Sequence, residues 1–137
     1  MKLFVDASAW IGIFDSRDKY HSVASQSLHS IRHQAHFITS DYVFDETLTY
    51  LLYRAGKQIA VQCMQWAINA HFVDILHVNE GVWQDSWEMF QRYDDKQWAF
   101  TDCTSFVLMR QHNLHRAFAF DHHFLQAGFQ LWPGVEG

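Results

Sequence analysis

Short apolar runs alternate along this chain with stretches of helical periodicity, and that alternation limits its fold more than any other feature. Leu3 to Val5, His36 to Thr39, Phe72 to Val78 and Ala117 to Phe120 are too short for independent helices and suit buried strands. Ser8 stands as an N-cap before the apolar segment Ala9 to Phe14, and Val23, Ala24, Leu28 and Ile31 recur at helical spacing within Tyr20 to Gln34. Ser40 or Asp41 caps a third helix whose Phe44, Leu48, Leu51, Leu52 and Ala55 form one stripe that stops at Gly56. Another helix spans about Lys57 to Ala70. Val82, Trp83, Trp87 and Phe90 mark the next, from Glu80 to Tyr93, and Thr101 caps one that ends near His112. A last short helix and strand follow. Strands joined through helices make right-handed crossovers, so the expected class is α/β, a mostly parallel sheet with helices on both faces.

Composition bounds the function. In 137 residues, 49% apolar and 18% charged side chains supply one packed core, and no repeat or linker interrupts the chain, so a single domain over residues 1–137 is expected. A net charge of -5 excludes bulk positive charge as the means of holding nucleic acid or an anionic membrane, while a local site could still take phosphate. The basic residues form no run, and Arg54 and Lys57 read as partners of a helix dipole. Cys63 and Cys103 are isolated thiols, which fits a reducing compartment without a disulfide. Asp6 breaks the first apolar stretch too early for a secretion signal, and no segment is long enough to cross a bilayer, so the expected address is the cytoplasm. His29, His33, His112, His115, His122 and His123 lack the fixed Cys/His spacing of a zinc site. Trp10, Trp83 and Trp87 read as core or interface before they read as base-stacking platforms.

The chemistry is expected at the carboxyl ends of the strands, where open parallel sheets bind their ligands. Asp6 and Asp121 each follow an uncharged run that ends there, and Asp102 sits in the first turn of its helix. On the third helix, periodicity does not choose between Asp45 and Glu46. Carboxylates gathered at one edge repel one another, and one or two divalent cations would neutralise them and leave positions open to a phosphate and a water.

Phe4-Val5-Asp6-Ala7-Ser8-Ala9-Trp10, Thr39 to Thr49, Phe100 to Phe106 and Ala119-Phe120-Asp121-His122-His123-Phe124 resemble, in order, the signature stretches of the PIN-domain nuclease family, especially its VapC-type toxins. The resemblance implies a PIN-like fold and places that family's acidic quartet on Asp6, Glu46, Asp102 and Asp121, which hold Mg²⁺ or Mn²⁺ for hydrolysis of RNA phosphodiester bonds. It implies supporting positions at Ser8, Thr101 and Ser105, and it matches the family's His to His123. His122 stands where a basic residue is often found, which makes it a titratable candidate for substrate contact. Further implications are 5′-phosphate and 3′-hydroxyl product ends, a homodimer, and a cognate antitoxin if the chain is the toxin of a type II toxin-antitoxin pair. An RNA-processing PIN nuclease outside such a pair, an inactive PIN-fold binding protein and a receiver-like signalling domain with clustered carboxylates are the alternatives.

Overall fold

The computed structural model describes residues 1–134. Its elements are β1 (Lys2–Val5), α1 (Ala7–Phe14), α2 (His21–Ile31), β2 (His36–Ser40), α3 (Asp41–Arg54), α4 (Lys57–Asn69), β3 (Val73–Leu76), α5 (Glu80–Arg92), α6 (Phe100–Gln111), β4 (Arg116–Phe118), α7 (His123–Gln126) and β5 (Gln130–Trp132). The strands form one five-stranded sheet in the order β3-β2-β1-β4-β5, and every pairing is parallel. Leu3, Phe4 and Val5 are fully buried in succession, as expected where both faces of a parallel strand are covered. From β1 the chain steps outward to β3, then crosses back to β4 on the other side of β1. Right-handed crossovers therefore put α1 to α4 on one face and α5 to α7 on the other. The reversal opens a crevice between the carboxyl ends of β1 and β4. A receiver-like domain has the order 2-1-3-4-5 instead, so the signalling alternative is excluded.

Two helix starts differ from the sequence expectation. Asp6, not Ser8, caps α1: it stays extended, and its carboxylate accepts from the Ser8 backbone N–H at 3.2 Å. Ser8 falls inside the first turn. Likewise α6 starts from Ala99 and not from Thr101, because the Asp102 carboxylate reaches back to the Ala99 N–H at 3.0 Å. Ser40 does cap α3, accepting from Val43 N at 3.1 Å, and Gly56 closes it with φ at +101°. Strand β4 stops at Phe118, sooner than expected, and the Phe120 N–H turns to the Ser8 hydroxyl.

Trp10 fixes α1 to the sheet. Its ring is fully buried, 5.1 Å from Phe44 and 5.9 Å from Trp66 between centroids. Its indole N–H donates to Thr39 Oγ1 at 3.2 Å, and that hydroxyl donates to the Val5 carbonyl at 2.9 Å. Gly12 lets α2 approach α1, since a Cβ there would lie 3.0 Å from Ala24 Cβ. Trp10 thus meets the core expectation, whereas Trp83 and Trp87 are 39% and 41% exposed, which removes the core reading for both. The face of α5 turned inward is Val82, Ser86 and Met89, one residue out of phase with the tryptophans. On α3 the inward face is Val43, Phe44, Thr47 and Leu51, which leaves Leu52 exposed. Cys63 and Cys103 are free and buried, and among the described residues no helix is long and apolar enough to cross a membrane.

Thr39→Val keeps the shape of this core but leaves the buried Trp10 N–H without an acceptor. A loss of about 1–3 kcal/mol in unfolding free energy is expected from urea denaturation. Parental stability would show the Trp10–Thr39 link to be dispensable.

Candidate active site

The crevice collects its carboxylates from four elements: Asp6 follows β1, Asp102 lies in the first turn of α6, Asp121 in the loop between β4 and α7, and Glu46 in the second turn of α3. Asp6 leaves β1 with its N–H on the Phe118 carbonyl at 3.1 Å, so the start of α1 is tied to β4. Ser8 then locks the arrangement: its hydroxyl donates to Asp6 Oδ2 at 2.7 Å and accepts from Phe120 N at 3.0 Å. This gives the residue a definite part, orienting the first carboxylate and joining the two strand ends. Asp102 is aimed by the Ala99 N–H. Asp121 Oδ1 accepts from the His123 N–H at 3.0 Å, which fixes the loop that enters α7.

His123, which the resemblance matches to the family's His, ties two of the carboxylates together. Its Nδ1 lies 2.8 Å from Asp102 Oδ2 and 3.2 Å from Asp121 Oδ1, so one ring atom holds two carboxylates together. The signal was its spacing, two residues after Asp121 in the turn that begins α7. Asp102, Asp121 and His123 present ligand atoms within 4.8 Å of one another, the one such group among the described residues. His29, on α2, and His33, in the turn after it, are exposed and join no group of this kind.

Asp6 and Glu46 stand outside that tightest trio but act on it through their charge. Asp6 is buried, and that desolvation, followed by repulsion from Asp102, pushes its pKa up to about 6 against the bonds from Ser8 and Ala7. Glu46 lies at the solvent-exposed rim of α3, yet its carboxyl end is packed against protein. Desolvation there, with repulsion from Asp6, Asp102 and Asp121, raises it to about 7, and the Thr101 hydroxyl works in the opposite direction. Burial also raises Asp102, opposed by the Ala99 N–H and by His123. Glu46 is thereby separated from Asp45, because Glu46 is the one that feels the other three carboxylates. Ser105, three residues beyond Asp102 on α6, is fully buried, and its Oγ has no partner among the described residues. His122 is exposed at the start of α7, beside Asp121.

Such a donor set fits a hard divalent cation. Its atoms are carboxylate oxygens, their mutual repulsion is uncompensated by any Lys or Arg pairing among the described residues, and a buried hydroxyl nearby is unsatisfied. Asp6, Glu46, Asp102 and Asp121 are the side chains that could hold it.

The site lies where an open parallel sheet binds its ligands, and the PIN domain description matches residues 3–130. The chain belongs to the PIN domain family. It is 33% identical over 127 residues to a protein of two Mycobacterium tuberculosis strains named the 23S rRNA-specific endonuclease VapC20, covering 93% of this chain and 95% of that one. The crystal structure of M. tuberculosis VapC20, described as a sarcin-ricin loop cleaving toxin, superposes with a TM-score of 0.85 at 32% identity, over 93% of this chain and 95% of that chain. The chain is thus a homologue of a VapC-type endoribonuclease toxin, and an enzyme.

Between the ordinary carboxylate values of 3.8 and 4.5 and the raised values of about 6 and 7, the folded protein holds more protons on Asp6 and Glu46 than the unfolded chain does. Metal-free stability from these groups is therefore full below about pH 4 and lost as pH rises through about 7. A cation binds the charged forms, so its stabilising effect runs the other way. Thermal melts in EDTA and in Mn²⁺ at pH 5 and pH 8 are expected to show a much larger Mn²⁺-induced gain at the higher pH, and Asp6→Asn to reduce that gain. Equal gains at both values would contradict the site.

Proposed function

We propose that this chain, acting as a single PIN-like domain over residues 1–137, is a Mg²⁺- or Mn²⁺-dependent endoribonuclease whose catalytic and metal-holding side chains are Asp6, Glu46, Asp102 and Asp121. The observation that carries the reading is the convergence of these carboxylates at the β1–β4 crevice, close enough that their repulsion and burial hold protons up to about pH 6 and 7. A bound cation would supply Lewis acidity to the scissile phosphate and neutralise the carboxylates. The chain's own residues would do the positioning. Ser8 fixes the direction of Asp6 Oδ2. His123 Nδ1 keeps Asp102 and Asp121 from drifting apart under their like charge. Glu46, at the open rim, is placed to orient the attacking water, and Thr101 steadies it. Ser105 offers an unspent buried hydroxyl beside Asp102, and His122 is exposed where the substrate would approach. Attack by water and not by the 2′-hydroxyl leaves a 5′-phosphate and a 3′-hydroxyl.

The toxin names of the relatives support a place in a toxin-antitoxin pair, with a cognate antitoxin as protein partner and the cytoplasm as the site of action. A homodimer belongs to the same reading. The exposed ladder Trp83, Trp87 and Phe90 on α5, with centroids 6.3 Å and 6.1 Å apart, is an apolar strip of the kind such a contact uses. The relatives' names make 23S rRNA the first substrate to assay.

Purified protein given 23S rRNA and Mg²⁺ is expected to cut it at defined positions, leaving 5′-phosphate ends, and to stop in EDTA. Asp6→Asn and Asp102→Asn are each expected to lower the rate about 100-fold or more while keeping their melting transitions. Product carrying a 2′,3′-cyclic phosphate, or a folded Asp6→Asn protein as active as the parent, would contradict the assignment.

A further inference from the structure

The crevice does not end at its carboxylates. Glu46 and Thr101 line one cavity together with Thr49, Tyr50, Tyr53 and Arg54, and the last three of these also line a second cavity with Arg17 and Lys19 of the loop between α1 and α2. The two cavities share Tyr50, Tyr53 and Arg54, so they lie next to one another along the exposed face of α3, a trough that leads from Glu46 toward that loop. From Glu46 to Arg54 it extends about 12 Å at 1.5 Å per helical residue, the span of about three or four stacked nucleotides.

Three basic side chains, Arg17, Lys19 and Arg54, stand along it. Among the described residues none of Arg17, Lys19 and Arg54 pairs with a carboxylate. The far end also carries two acids, which keep their charge: Asp15 accepts from Arg17 N at 3.0 Å and Asp18 from Tyr20 N at 3.0 Å. Asp45 adds one negative charge at the carboxylate end. The last carbonyl of α3 is met by Arg17 Nη2 at 2.7 Å, so the helix end does not need the Arg54 guanidinium, which sits 5.5 Å over the Tyr50 ring. Lys19 Nζ similarly stands 5.0 Å over Tyr20, whose ring is stacked 4.4 Å from Phe120, the residue before Asp121. Both cations are thus held against aromatic rings and remain open to an anion. Tyr53 is 81% exposed, with its ring free on the trough wall.

We propose that this trough carries the polyribonucleotide strand to the carboxylates, with Arg17, Lys19 and Arg54 taking backbone phosphates and Tyr53 offering its ring to an unpaired base. The inference rests on the nuclease reading and extends it: it says how a chain of net charge -5 holds a polyanion, through three basic side chains placed along one trough and not its overall charge.

The test is fluorescence anisotropy with a labelled single-stranded 12-nucleotide RNA across a KCl series, in EDTA so that nothing is cut. Lys19→Gln/Arg54→Gln is expected to weaken binding about tenfold or more and to flatten the plot of log K against log salt by about 1.4, about 0.7 for each phosphate that is no longer neutralised. Tyr53→Ala, on an exposed side chain, is expected to weaken binding about fivefold or more with the salt slope unchanged. In steady-state cleavage the double variant raises KM by the same factor as Kd, with a much smaller change in kcat. Folded variants that bind with parental affinity and slope overturn the trough, as does a parental protein that binds no RNA. A parental protein that binds RNA with these dependences yet cuts nothing in Mg²⁺ or Mn²⁺ leaves the trough standing and overturns the nuclease reading.

Discussion

One carboxylate, that of Asp6, belongs to both the fold and the site. Its backbone closes the β1–β4 ladder, and its side chain caps α1 and takes the Ser8 hydroxyl, which in turn receives the Phe120 N–H. The crevice therefore has its shape because Asp6 is where it is. Burial beside Asp102 makes the same carboxylate costly to ionise. A helix cap alone could be served by a neutral Ser or Asn at less electrostatic cost. Retaining an acid whose pKa is pushed to about 6 is a local conflict of the kind proteins keep at functional sites.

In the proposed function, the cation and the substrate are held by separate parts of one surface. The carboxylates would hold the cation, and the bound cation would meet the scissile phosphate. The trough along α3 begins beside Glu46 and Thr101 and carries Arg54, Arg17 and Lys19 among Asp45, Asp15 and Asp18. A strand drawn along the track would meet the carboxylates with its phosphate already partly neutralised. The aromatic ladder of α5 is a separate surface with acidic neighbours, Glu80 and Glu88, and so is less suited to RNA than to protein.

Much of this was legible in the sequence because it is local. Strand and helix alternation follows from periodicity, and Ser40 and Gly56 act as their chemistry dictates. The acids at strand ends announced themselves by ending apolar runs. The cap positions of α1 and α6 were displaced because Asp6 accepts the Ser8 N–H and Asp102 reaches back to the Ala99 N–H, so each cap lies two residues before the expected one. Periodicity also failed to phase α5, where Trp83 and Trp87 continue the apolar pattern past the edge of the buried face. Glu46 could not be separated from Asp45 until the other three carboxylates were placed around it. His123 and the trough were the least legible. Both depend on side chains brought together across the fold, His123 to Asp102 over 21 residues and Arg17 to Arg54 over 37.

The central claim is that these carboxylates share a cation. Diffraction from crystals soaked in Mn²⁺, collected where manganese scatters anomalously, reads it directly. The account predicts one or two strong anomalous peaks at the β1–β4 crevice within ligand distance of Asp6, Asp102 and Asp121 oxygens. Manganese bound elsewhere on the surface, with the crevice empty at saturating Mn²⁺ and neutral pH, would contradict it.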